Sequence, residues 1–192
     1  MGITPAITRL RDGDEQAFRE LVDEYRDRVY NTAIGFLQHQ ENAEDVTQEV
    51  FVEVFRSVAR FRGDCSLSTW IYRLAVQKSL EYIRTSRRVK RSGILFTLFG
   101  KEDHLNIAAD APFYHPGILL ENKERAAILF RAISLLPVTQ RTAFILHKVE
   151  GLSHHEIAKI MSTSVSSVES LIVRANRKLR ELLSDYYEKN ER

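Results

Sequence analysis

A chain of 192 residues, 44% of them hydrophobic, holds enough apolar material for one globular domain or two small ones. It has no run of about 18 apolar residues, which excludes a helical membrane span, and residues 1–10 lack the basic-then-apolar pattern of a secretory signal. A single cysteine, Cys65, excludes an intrachain disulfide and points to a reducing, cytoplasmic setting.

The formal net charge of +2 hides an asymmetry. Residues 1–55 hold five basic side chains against twelve acidic ones, and residues 56–91 hold ten basic against two acidic. An acidic block beside a basic block suits a chain with two partners of opposite charge.

The elements read as helices throughout, with no strand pattern and no internal repeat. Asp14 is a plausible N-cap, and Phe18, Leu21, Val22, Tyr25, Val29, Ala33 and Ile34 recur behind it at helical spacing. Asn42 with Asp45 suggests a second start, followed by Val46, Val50, Phe51 and Val54 on one face. Phe61 to Cys65 is a loop. Ser66 or Ser68 opens a third helix through Trp70, Ile71, Leu74 and Ala75 that runs into Arg87 and Arg88. Three such helices can enclose one core.

Residues 93–117 contain Gly93, Gly100, Pro112, Pro116 and Gly117 without a sustained period, the composition of a linker. Its stretch Ile94 to Phe99 is apolar enough to pack on a neighbour. Helices resume near Ile118 and stop at Pro137, and another runs from about Thr139 to Val149 with Gly151 as its terminator.

Leu152 to Leu179 reads as two short helices around a tight turn, the pattern of a helix-turn-helix whose second helix can enter a major groove. Ser153 with Glu156, and Ser166 with Glu169, each fit a capping box. Ile157, Ala158 and Met161 face inward from the first helix, and Val168, Leu171 and Ile172 from the second. Ser166, Ser167 and Ser170, with Arg174, Arg177 and Lys178, are candidates for base and phosphate contact. Glu169 closes the box or accepts from a cytosine amino group. A solvated cationic helix end is the plainer alternative for the cations.

Cations interleaved with aromatics between Arg60 and Arg91 suit single-stranded DNA, phosphates following the cations and bases stacking on rings, although residues such as Trp70 and Tyr82 are more often core than stacking platform. The carboxylates Glu41, Glu44, Asp45, Glu49 and Glu53 make either a solvated helix face or a dock for a basic partner. Signals for catalysis are poor. His154-His155-Glu156 lacks the spacing of a zinc-protease helix, no Glu-x-x-His pair marks a dinuclear metal site, and no phosphate-binding glycine loop or nucleophile elbow occurs.

Four stretches carry a resemblance: Ala43-Glu-Asp-Val-Thr-Gln-Glu-Val-Phe51, Phe61-Arg-Gly-Asp-Cys-Ser-Leu-Ser-Thr-Trp-Ile-Tyr-Arg-Leu-Ala75, Leu136-Pro-Val-Thr-Gln-Arg141, and the helix-turn-helix. In this order they resemble the small two-domain sigma factors of bacterial RNA polymerase, the extracytoplasmic-function (ECF) group. The resemblance implies an all-α fold of two small helical domains joined by a linker, the C-terminal one a helix-turn-helix. The expected bounds are 8–92, 93–117 and 118–188. It implies a non-enzymatic, cytoplasmic subunit with no cofactor and no metal. Its expected partners are core RNA polymerase, promoter DNA and an anti-sigma factor, with no membrane contact of its own.

The same resemblance assigns Asp45, Gln48, Glu49, Phe51 and Phe55 to core-polymerase docking. It assigns Arg60, Phe61, Arg62, Asp64, Trp70 and Arg73, then Gln77, Lys78, Arg84, Arg87 and Arg88, to reading and opening the −10 element. The −35 reader would be Ser166, Ser167, Glu169, Ser170, Arg174, Arg177 and Lys178. Some positions depart from the family pattern. Ala75-Val-Gln-Lys-Ser-Leu-Glu81 replaces a stretch that often begins Ala-Arg-Asn, Glu169 and Leu171 stand where Lys and Arg are frequent, and Ser162 occupies a turn position that is often Gly. A one-component helix-turn-helix regulator with a helical sensor domain is the alternative reading.

Overall fold

The computed structural model of the chain describes residues 5–94 and 123–190, and every regular element among them is a helix. The first, α1 (Pro5–Arg11), is too short for a periodic signal. Proline at its first position suits helix initiation, and Ile7 and Leu10 are buried. Next come α2 (Glu15–Leu37), α3 (Gln40–Ser57) and, after a 3₁₀ turn at Val58–Arg60, α4 (Leu67–Ile94). The C-terminal half holds α5 (Lys123–Ser134), α6 (Val138–Lys148), α7 (His154–Met161) and α8 (Val165–Asn190). The expected linker lies outside the described residues from 95 onward, as do residues 118–122, where helix was expected to resume.

Local chemistry sets most boundaries. Asp14 caps α2 by accepting the Ala17 N–H at 3.0 Å, and the Arg9 guanidinium 2.7 Å away holds the Asp14 carboxyl below its usual range. Ser66, rather than Ser68, caps α4 through the Thr69 N–H at 3.1 Å. The expected start at Asn42 is corrected: α3 begins at Gln40, because Gln38 turns left-handed at φ 57° and returns the chain to a helix at once. His39 stands at the N-cap without a side-chain capping bond, so no cap residue marks this start in the sequence.

The helix-turn-helix caps divide the same way. Ser153 and Glu156 form the full box, the Ser153 N–H donating to Glu156 Oε2 at 2.9 Å, and these bonds hold the Glu156 carboxyl low. The second expected box is corrected. Ser164 caps α8, accepting the Ser167 N–H at 3.2 Å, and Glu169 instead faces His154 at 3.6 Å. Ser162 takes a left-handed conformation, φ 53°, at the turn between them, a position that costs a non-glycine residue about 1 kcal/mol.

Val29, Ala33, Val46, Val50, Val54, Ile71 and Ala75 interlock at the centre of the N-terminal bundle and are essentially inaccessible. Burying each large side chain contributes about 1.5–3 kcal/mol. Buried hydroxyls bond within their own helices: Thr32 donates to Arg28 O, Thr47 to Ala43 O and Ser79 to Ala75 O.

This core continues into the C-terminal half through Phe130, Ile133, Leu136 and Ile145. Gly35 of α2 permits the close approach, since a Cβ there would lie 3.0 Å from Ile145 Cγ2. Tyr72 of α4 joins the second core with Ala143, Leu146, Ile157 and Val168. Its hydroxyl donates to Glu150 Oε2 at 2.9 Å, while Glu150 Oε1 is buried with no hydrogen-bond partner among the described residues. Burial outweighs the Tyr72 bond and the nearby Arg28, pushing the Glu150 carboxyl up to about 7, and burial also raises the Tyr72 phenol.

Two outcomes follow from these local arrangements. A carboxyl raised in the folded state binds its proton more tightly than the unfolded chain does. The Glu150 contribution to stability is therefore fully present below the ordinary value of 4.5 and is lost as pH rises towards about 7. Thermal unfolding across that range should show a loss of about 2 kcal/mol in the native chain that Glu150→Gln lacks. For the recognition helix, Ser164→Ala should cost about 1 kcal/mol in urea unfolding, and Glu169→Ala well under half of that.

Candidate polymerase and nucleic-acid interfaces

Three surfaces carry the residues singled out in the sequence. The first is an open groove between α2 and α3, lined by Phe18, Val22, Arg26, Thr47, Gln48, Phe51, Val52 and Phe55. Phe51 is buried beneath it, whereas Phe55 is 62% exposed and meets Phe18 edge-on at 5.3 Å. Asp45, Gln48 and Glu49 are exposed on the same helix. A contiguous apolar groove open to solvent, on a helix that also carries exposed carboxylates, is the composition of a docking site. Phe18, Val22 and Val52 were not singled out as site residues. Phe18 and Val22 belong to the core-facing period of α2, and only the crossing of α2 on α3 shows that this period also supplies a groove wall.

The second surface is the loop after the 3₁₀ turn together with α4. Phe61 is buried and packs on Trp70 with centroids 5.0 Å apart, so this pair braces the loop. Arg62 and Asp64 pair at 2.9 Å across Gly63. Arg60, Gln77 and Arg84 are exposed, and Lys78 reaches Glu81 at 3.9 Å. The side chains of Arg87 and Arg88 lie outside the described residues. Arg73 bridges the loop and the C-terminal half, its Nη1 lying 4.0 Å from Cys65 Sγ. Its Nε donates to Ile160 O at 3.2 Å, and its Nη2 donates to Lys159 O and to Ser162 Oγ, the last at 3.2 Å.

The third surface is one side of α8. Ser166, Ser167, Ser170, Leu171 and Arg174 line a shallow depression with Thr139 of α6. Arg177 is exposed one turn further along, and Lys178 pairs with Glu181 at 3.2 Å. Glu169 points to His154, whose ring packs on His147 with centroids 4.9 Å apart, and His147 Nδ1 meets Leu152 O at 3.1 Å. Thr139 was not singled out. Its signal was Pro137 immediately before a helix, which leaves unpaired N–H groups beside the recognition helix.

These surfaces are small, polar-rimmed and open, suited to binding macromolecules rather than enclosing a substrate. Among the described residues no group of three His, Cys, Asp or Glu side chains is placed to hold a metal, and no helix is long and apolar enough to cross a membrane.

Residues 21–89 match the Sigma-70 region 2 family, and residues 121–179 match the Sigma-70 region 4 family. The RNA polymerase sigma-H factor of Pseudomonas aeruginosa is 31% identical over 188 residues, covering 92% of this chain and 91% of that protein. The ECF RNA polymerase sigma-E factor of Escherichia coli K12 is 34% identical over 170 residues, covering 88% and 87%. The fold is similar to CnrH in complex with the cytosolic domain of CnrY (TM-score 0.67, 21% identity, 94% and 96% covered). It is also similar to the sigma factor RpoE in complex with the anti-sigma factor NepR from Bartonella quintana (TM-score 0.64, 20% identity, 87% and 96% covered). Matched by both families in chain order and by these relatives over most of its length, the chain belongs to the ECF sigma factors of RNA polymerase.

Proposed function

We propose that this sigma factor acts as a non-catalytic, dissociable subunit in the cytoplasm, docking on core polymerase through the α2–α3 groove. The loop Arg60–Asp64 and α4 read and open the −10 element, and the serine- and arginine-lined side of α8 reads the −35 element. The observation that supports this assignment is the groove itself: Phe18, Val22, Phe51, Val52 and Phe55 line an open apolar face, with Asp45, Gln48 and Glu49 exposed on the same helix.

The chemistry of each surface fits its role. Opening DNA costs a few kcal/mol per unstacked base, which stacking and hydrogen bonds of the freed base on the protein would offset. Arg174 and Arg177 supply phosphate attraction at α8, and the serines supply short donors and acceptors at its start. With Glu169 and Leu171 where cations are frequent in the family, the −35 contact is weak alone. Two weak contacts held on one polymerase bind jointly through effective concentration. Relatives of this fold bind anti-sigma factors, as the RpoE–NepR complex does, and the same exposed faces offer such a partner its targets here.

Run-off transcription tests the assignment. The protein added to core enzyme should yield promoter-specific transcripts, and transcripts identical to those of core alone would overturn it. Phe55→Ala should weaken binding to core by about tenfold with a change in unfolding free energy of at most about 0.5 kcal/mol. Arg174→Ala should reduce discrimination between matched and mismatched −35 sequences while leaving core affinity unchanged, as measured by competition with the native subunit. A duplex shift by free dimeric protein would instead favour a one-component regulator.

A further inference from the structure

Glu169 and Val173 stand four residues apart on α8, so one lies above the other on the same face. Both are exposed, and Val173 keeps 67% of its surface in solvent on the helix proposed above to read the −35 element. Neither lines the depression formed by Ser166, Ser170 and Arg174. They make a separate row, on the side of α8 that meets α7, where Glu169 Oε1 lies 3.6 Å from His154 Nδ1.

His154 is itself held in place. Its ring packs on His147 with centroids 4.9 Å apart, and His147 Nδ1 donates to Leu152 O at 3.1 Å, since a carbonyl can only accept. A chain of contacts therefore runs from the end of α6 across the start of α7 to Glu169. A carboxylate has two oxygens, so one can remain on His154 while the other accepts from a base.

The chemistry of the row limits what it can face in DNA. A carboxylate is repelled by phosphates and only accepts hydrogen bonds. In the major groove the donors are the amino groups of cytosine and adenine, and the apolar feature is the C5-methyl of thymine. Adenine sets its N7 acceptor beside its amino group, against a carboxylate, whereas cytosine presents the amino group alone. Val173 offers two methyl groups and no polar atom, which suits the thymine methyl. Four residues rise about 6 Å along the helix, close to two base steps of about 3.4 Å.

We infer that Glu169 and Val173 form a second reading edge of α8 that selects pyrimidines on one strand, the amino group of cytosine at Glu169 and the methyl group of thymine at Val173. His154 acts through Glu169 as the positioning residue of this edge. The inference rests on the −35 reading by α8 proposed above.

Holoenzyme assembled from core polymerase and the full-length chain, transcribing promoters randomised across the −35 element, tests it. Promoters selected by the native protein should carry cytosine and thymine within two steps of each other on one strand. Glu169→Gln adds a donor beside the acceptor, the pattern that pairs with adenine. It should move the preference from cytosine towards adenine by about tenfold at that position alone. Val173→Ser should lower the thymine preference about fourfold, the worth of about one buried methylene, and leave the cytosine position unchanged. His154→Ala should flatten the cytosine preference only, and His154→Gln, which keeps a side-chain donor, should restore it. An equal loss at every −35 position in His154→Ala would overturn the positioning role. Each variant should compete with the native chain for core polymerase as well as the native chain does itself. Specific transcripts whose base preferences ignore either Glu169→Gln or Val173→Ser would overturn the edge alone. Native holoenzyme that yields no promoter-specific transcripts would overturn the sigma reading as well.

Discussion

Burial of α4 on two sides at once fixes where the other elements lie. Ile71, Ala75 and Ser79 face the N-terminal bundle and are inaccessible to solvent. Tyr72 belongs to the helix-turn-helix core, and Val76 touches both cores. A helix of 28 residues is long enough, about 42 Å, to enter both halves and still present the exposed Arg84 further along. Close packing on both sides leaves little freedom in the angle at which the halves meet, because interiors at this density tolerate few voids.

The same economy appears at the proposed interfaces. Core residues hold the loop and the recognition helix rigid, and the residues between them face outward. Phe61 and Trp70 brace the loop from which Arg60 and Arg62 project. Val168, Ile172 and Ala175 seat α8 so that Ser166, Ser170 and Arg174 lie on its open side. Function in such a protein depends on which aromatic and cationic groups are withheld from the core. Phe55 and Arg73 illustrate the two cases: one is left in solvent, and the other is engaged by the chain itself.

Periodicity gave the long helices, because an amphipathic pattern is a direct image of one buried face. Boundaries were legible where a side chain performs the capping. Asp14 and Ser153 show this, and their bonds are local in sequence. Capping by Ser164 instead of Ser166 was not legible, since two serines close together satisfy the same pattern and only the path of the turn through Ser162 chooses between them. At the start of α3 no capping bond exists, so there was nothing to read. The short α1 spans only about two turns and offers no period.

By itself the sequence determined the all-helical class, the helix-turn-helix, the acidic and basic surfaces, and the family. Each of these depends on residue type and on spacing within about twenty positions. Tertiary structure alone decided that α2 and α3 leave a groove around Phe55, that Thr139 borders the recognition helix, and that Tyr72 and Arg73 reach Glu150 and the end of α7. Those partners lie 78 to 89 positions apart. No local pattern encodes such pairings, because a tyrosine or arginine on a helix carries the same propensity whether it meets solvent, DNA or another part of its own chain.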